Sequence, residues 1–123
     1  MSKKILEVTD VKLVTIDSDP LRLLIAVSGT VPTSGWSKAG ELNEYIYFVP
    51  PSDGYYEFDF VATPPLPDAI VAQKIRPILA TFILDSIPEG FKGIKVYSSS
   101  NSREESYENP LTLTMQISRI GNI

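Results

Sequence analysis

The sequence of 123 residues contains no cysteine and no histidine, one tryptophan and two methionines. Without cysteine there is neither a disulfide framework nor thiolate chemistry. Without histidine the usual general base near neutral pH and the commonest transition-metal ligand are both missing, which excludes Ser-His-Asp and Cys-His sites. Positive charge is scarce and scattered: eleven Lys and Arg stand against fifteen Asp and Glu, giving a net charge of -4 and a pI near 4.7. That balance argues against a nucleic-acid footprint, which needs clustered cations to displace counterions from phosphates. Long apolar runs are also absent. After Lys3 and Lys4 only Ile5 and Leu6 precede Glu7, too short for the apolar region of a signal peptide, and nothing approaches the ~20 residues of a membrane span. The expectation is a soluble, cytoplasmic protein without membrane contact. No glycine-rich loop is present to cradle a phosphate.

What the sequence does have is an apolar period of two. Leu21, Leu23, Ile25 and Val27 alternate with Arg22, Leu24, Ala26 and Ser28. Tyr56, Phe58, Phe60 and Ala62 alternate with Tyr55, Glu57, Asp59 and Val61, and Leu111 to Ser118 repeats the pattern. Further strands are expected at Val11 to Ile16, Tyr45 to Val49, Ala69 to Ile75, Ile78 to Leu84 and Lys92 to Tyr97. The apolar phase slips near Thr9 and Asp10, as a bulge or a change of sheet produces. Pro77 divides a stretch that otherwise passes for one helix, because a proline inside a helix costs about 3 kcal/mol. Turn sequences such as Pro-Ser-Asp-Gly and Pro-Glu-Gly separate the strands. The pattern predicts an all-β chain, folded over residues 1–123 as a single antiparallel, immunoglobulin-like β-sandwich of about seven or eight strands. A chain of this length buries roughly two-thirds of its unfolded surface, enough for a core. Ser98 to Pro110, poor in apolar residues, is expected to be a mobile loop. Pro64, Pro65 and Pro67 are read as a stiff crossover between sheets, with a ligand for an SH3-type domain as the competing reading.

Eight of the twelve aromatic residues lie between Trp36 and Phe60. A hairpin closed by PPSDG sets Phe48 opposite Tyr56 and Ile46 opposite Phe58, facing the core. The same register sets Tyr47 opposite Glu57 and Tyr45 opposite Asp59 on the other face, with Tyr55 nearby. Tyrosine supplies rigid amphipathic area and a carboxylate fixes polar or cationic groups, so this face is a candidate recognition surface for sugars, peptides or basic protein partners, or for a second copy. The competing reading is that tyrosine is simply a good strand former that tolerates half exposure. Trp36, at the end of VPTSGW, either caps one end of the sandwich or is displayed there for binding.

Without histidine or cysteine, catalysis would have to rest on carboxylates, a Ser-Lys pair or tyrosine. Asp17 with Asp19, and Asp53 with Glu57 and Asp59, are the closest acidic groups outside the polar loop. Paired acids in one cleft could hydrolyse a glycoside, and ~6 to 8 converging oxygens could hold calcium. Asp17 to Pro20 lacks the spaced further ligands of a calcium loop, and its aspartates are explained by turn formation. No metal, cofactor or enzymatic activity is therefore expected.

VPTSGW (Val31 to Trp36) and DGYYEFDFVATPP (Asp53 to Pro65) are similar to small bacterial proteins of unknown function, a resemblance that implies no activity. Pro32-Thr33-Ser34-Gly35-Trp36 also resembles the Pro-Thr-Thr-Gly-aromatic loop of chagasin-type inhibitors of papain-like cysteine peptidases. Arg76-Pro77 resembles that family's Arg-Pro-aromatic loop. The resemblance implies an immunoglobulin-like sandwich presenting three loops to a peptidase cleft. Val31 and Ile78 depart from the family's asparagine and aromatic, and no Gly-rich middle loop lies between the segments. The main expectation is a non-catalytic binding or structural module whose contact residues are Trp36, Tyr45, Tyr47, Tyr55, Glu57 and Asp59. A cysteine-peptidase inhibitor is the alternative, with a carboxylate-based enzyme or calcium-binding domain as a further one.

Overall fold

The structure, a computed structural model, describes residues 1–18 and 21–108, and all regular structure among them is β. No helix of the described residues is long and apolar enough to cross a membrane. Strands β2 (Glu7–Ser18), β3 (Leu21–Val31) and β6 (Arg76–Leu84) form one sheet. The other holds β1 (Lys3–Lys4), β4 (Glu41–Glu44), β5 (Tyr55–Ala62), β7 (Gly93–Tyr97) and β8 (Ser102–Ser106).

The alternation in the sequence becomes the inner and outer faces of these sheets. In β3, Leu23, Ile25, Val27 and Val31 are buried while Leu24, Ala26, Ser28 and Thr30 are half-buried. In β5, Phe58, Phe60 and Ala62 enter the core, joined from β7 by Ile94 and Val96. Phe58 meets Phe82 of the opposite sheet edge to face, ring centroids 5.0 Å apart, an arrangement that adds to simple area burial. Tyr56 closes the same layer against Phe91.

The chain changes sheets between adjacent residues. Ile5 donates its N–H to the Phe60 carbonyl of one sheet, and Leu6 donates to the Thr30 carbonyl of the other. Just beyond, the β2–β3 register shifts between Val8 and Asp10. Of the two devices anticipated for the slip near Thr9, the register shift is the one found there, and the change of sheet falls earlier, between Ile5 and Leu6. The crossing is fastened by the turn Ser98–Asn101. Asn101 accepts the Val8 N–H at 2.8 Å through Oδ1 and donates to the Val8 carbonyl at 2.9 Å through Nδ2. Its amide thus stands in for one residue of a neighbouring strand. Asn101→Ala removes both bonds and is expected to cost about 1–3 kcal/mol in urea unfolding, since it strands a part-buried donor and acceptor; an unchanged midpoint would show that water replaces them without loss.

Several expectations need correction. Ser98 to Pro110 contains β8, antiparallel to β7 from Gly93↔Ser106 to Tyr97↔Ser102. As an edge strand with every residue exposed, β8 has no apolar face for the sequence to reveal. Residues 69–75 form no strand. Nor do residues 45–49, where Ile46 and Phe48 are exposed (94% and 107%) instead of facing the core. Pairing with β5 is made instead by β4, which sets Glu44 opposite Phe58 and Leu42 opposite Phe60. The antiparallel expectation fails at one pair: β5 and β7 run parallel. Leu111 to Ser118 lies outside the described residues.

Candidate functional site

β5 occupies the middle of its sheet. Val61 pairs with Glu41 and with Lys4, so β4 and β1 flank opposite edges, and β7 continues along the edge shared with β1. Pleating turns Tyr55, Glu57 and Asp59 to the outer face. The parallel register then sets Lys95 beside Glu57 and Tyr97 beside Asp59.

Three phenols converge on the two carboxylates. Tyr45 donates its O–H to Asp59 Oδ1 at 2.8 Å, Tyr47 donates to Glu57 Oε1 at 3.0 Å, and Tyr97 donates to Glu57 Oε2 at 2.5 Å. The hairpin register that set Tyr45 opposite Asp59 and Tyr47 opposite Glu57 is not formed, the backbone pairing differing by two residues, yet the long tyrosine side chains reach those same carboxylates. The reason lies at Glu57. Its carbonyl accepts the Tyr45 N–H, while its own N–H is taken by the Tyr47 hydroxyl at 3.0 Å. A side chain thereby ends the ladder that a longer β4 would have continued, and Ile46, Phe48 and Val49 are left exposed while Tyr47 stays half-buried.

Tyr45 and Tyr97 stack, with centroids 5.8 Å apart and planes at 24°. Lys95 Nζ lies 5.2 Å and Lys4 Nζ 5.9 Å from the centre of the Tyr97 ring, within range of a cation–π attraction. Lys4 also pairs with Asp59 at 3.8 Å and Lys95 with Glu104 at 3.7 Å. These exposed pairs contribute little stability, but they fix where the charges sit.

The phenols are held protonated. Partial burial, followed by the bond to Asp59, pushes Tyr45 up to about 12; burial does the same for Tyr47, with its bond to the Glu57 backbone acting in the opposite direction. For Tyr97 the hydrogen bond to Glu57 is the largest cause of a rise to about 12, followed by burial.

Tyr55 is half-buried and its hydroxyl joins no hydrogen bond among the described residues. Its ring lies across Gly93, where an added Cβ would come within 2.5 Å of Tyr55 Cε2. Glycine there lets the ring lie flat. Sequence reasoning missed Tyr97, Lys4 and Lys95. The alternation in Lys92 to Tyr97 turns Lys95 and Tyr97 to one face, but nothing local says that β7 runs parallel beside β5.

Trp36 sits apart from this face. It is half-buried, packs against the core, and borders a hollow of about 320 Å³ that Arg76 also lines. The two segments that resemble the inhibitor loops are thus neighbours, although Arg76 and Pro77 open strand β6 and are not the tip of a loop. Asp19 lies outside the described residues, and no group of three or more His, Cys, Asp or Glu among the described residues could hold a metal ion. Glu57 and Asp59 take their bonds on an outer sheet face, not in a cleft. No family model, no curated protein and no solved structure matches this chain.

Proposed function

We propose that the chain is a non-catalytic binding module that meets another protein, or a second copy of itself, through the outer face of β5. The observation that carries this reading is the convergence of Tyr45, Tyr47 and Tyr97 on Glu57 and Asp59. Tyrosines serving only as strand formers need no common acceptors. Here each hydroxyl proton is committed to a carboxylate, so the rings are held in place before a partner arrives and little side-chain entropy remains to be lost on binding. The lone pairs left open on phenol and carboxylate oxygens call for donors, which arginine, lysine or backbone N–H groups of a partner supply.

An immunoglobulin-like sandwich is the frame that suits this role. Its support is the order β2–β3–β6 in one sheet, which follows the first, second and fifth strands of such a fold. The parallel β5–β7 pair is a departure from it. A second reading, inhibition of a papain-like cysteine peptidase, is favoured by the adjacency of Trp36 and Arg76 and is decided by a direct inhibition assay with Trp36→Ala as control.

Photo-cross-linking tests the main reading. A benzophenone side chain at position 45 is expected to give discrete adducts, either a dimer or one partner. The same group at position 12 on the opposite sheet is expected to give none. Equal adduct patterns from both positions, or none from position 45, would remove the proposal.

A further inference from the structure

The end of the molecule that holds Trp36 is built from two loops fastened to each other. Ser34 donates its N–H to the Ala72 carbonyl at 3.0 Å, and Ala72 donates back to Ser34 Oγ at 2.8 Å. Ser37 makes the same two-way clasp with Thr63, at 2.9 and 3.1 Å. Gly35 turns between them with φ of 89°, its Cα facing Pro65 and Val71 so closely that a side chain would press on both. Trp36 is therefore presented on a fixed support.

Its ring separates two hollows of different character. One, of about 320 Å³, has Lys38 and Arg76 on its rim with Thr33 and Ser37 beside them. The other, of about 280 Å³, is walled by Pro32, Pro64, Pro65, Leu66 and Val71, with Lys3 at its margin. No carboxylate lines either hollow; Asp68, in the same loop, lines neither. Lys4, Lys12, Arg22 and Lys95 each pair with an acid, whereas Lys3, Lys38 and Arg76, like Lys74, Lys92 and Arg103, make no ion pair among the described residues; what sets Lys3, Lys38 and Arg76 apart is that they gather around hollows that no carboxylate lines. In a chain of net charge -4 this end is a local excess of positive charge around an aromatic ring and an apolar trough.

We infer that this end is a second binding site, separate from the tyrosine face, for an extended acidic peptide segment of a partner protein. A glutamate or aspartate of the segment meets Lys38 and Arg76, and a neighbouring apolar side chain crosses Trp36 into the proline-walled trough. Charge complementarity selects this occupant. Three cations are too few for a nucleic acid against the repulsion of an acidic chain, and a simple anion leaves the apolar trough unused.

Because Trp36 is the only tryptophan, its emission reports this site alone. A short acetylated peptide alternating glutamate and leucine is expected to shift that emission saturably, and added salt is expected to weaken the effect. Lys38→Gln with Arg76→Gln, both exposed side chains, is expected to weaken the affinity about tenfold or more, the effect of losing charge-assisted contacts. Tyr45→Ala with Tyr97→Ala is expected to leave it unchanged, which separates this site from the tyrosine face. The inference is overturned if the acidic peptide gives no saturable shift, if a glutamine–leucine peptide gives the same one, or if the Lys38 and Arg76 variant binds as the parent does.

Discussion

Alanine at position 60 is expected to lower the free energy of unfolding by about 3–5 kcal/mol. Phe60 lies on the central strand of its sheet with no exposed surface, paired across the ladder with Leu42, and its carbonyl receives the Ile5 N–H where the chain changes sheets. Two glycines border its ring: a Cβ built on Gly29 would stand 3.3 Å from Phe60 Cε2, and one on Gly40 would stand 3.2 Å from Cδ1. Neither neighbour has a side chain that could collapse into the space left by the phenyl group. The cavity stays open and the cost falls at the upper end of the range. Ile83→Ala, on the outer face where Ile83 is 45% exposed, is the matched control and is expected to cost under about 1 kcal/mol. Urea unfolding of the two variants compares them, and equal losses would contradict the placement of Phe60 in the core.

The second large effect is alkaline. Tyr45, Tyr47 and Tyr97 keep their protons up to about 12 in the folded chain against an ordinary value of 10.0. Above pH 10 the unfolded chain therefore releases protons that the folded chain retains, and unfolding is favoured as pH rises. The stability linked to these phenols is complete below pH 10 and is lost progressively between 10 and 12. Urea midpoints are expected to be level up to about pH 10 and then to fall, with a slope approaching three protons. Glu57→Gln is expected to flatten that fall, because the bond to the Glu57 carboxylate is the largest cause of the Tyr97 shift. A midpoint that rises above pH 10, or a Glu57→Gln variant that falls as steeply as the parent, would contradict the network.

Much of the fold was legible because burial is alternate. Leu23, Ile25 and Val27, and again Phe58, Phe60 and Ala62, announced their inner faces by period alone, and the phase slip at Thr9 announced the change of register. What local pattern could not convey was partnership. The row Lys95, Tyr97 reads as an outward face, but whether it lies beside Glu57 and Asp59 depends on a parallel pairing with more than thirty residues of intervening chain. Residues 45–49 misled for a related reason. Ile46 and Phe48 have the spacing of a core-facing strand, yet the Tyr47 hydroxyl takes the N–H that such a strand would need. β8 was missed because an exposed edge strand carries no apolar signal at all. At the candidate site, Tyr45, Tyr47, Glu57 and Asp59 could be found from alternation and composition, whereas Tyr97 and the two lysines required the tertiary pairing.

The claim on which the binding face rests is that β5 and β7 lie parallel and bring Tyr97 to Glu57 and to the ring of Tyr45. Interstrand nuclear Overhauser effects test it most directly. The predicted result is a ring-to-ring contact between Tyr45 and Tyr97, with backbone contacts that pair Tyr55 with Gly93 and Asp59 with Tyr97. Contacts that pair Tyr55 with Tyr97 instead, or the absence of any cross-peak between the Tyr45 and Tyr97 rings, would contradict it.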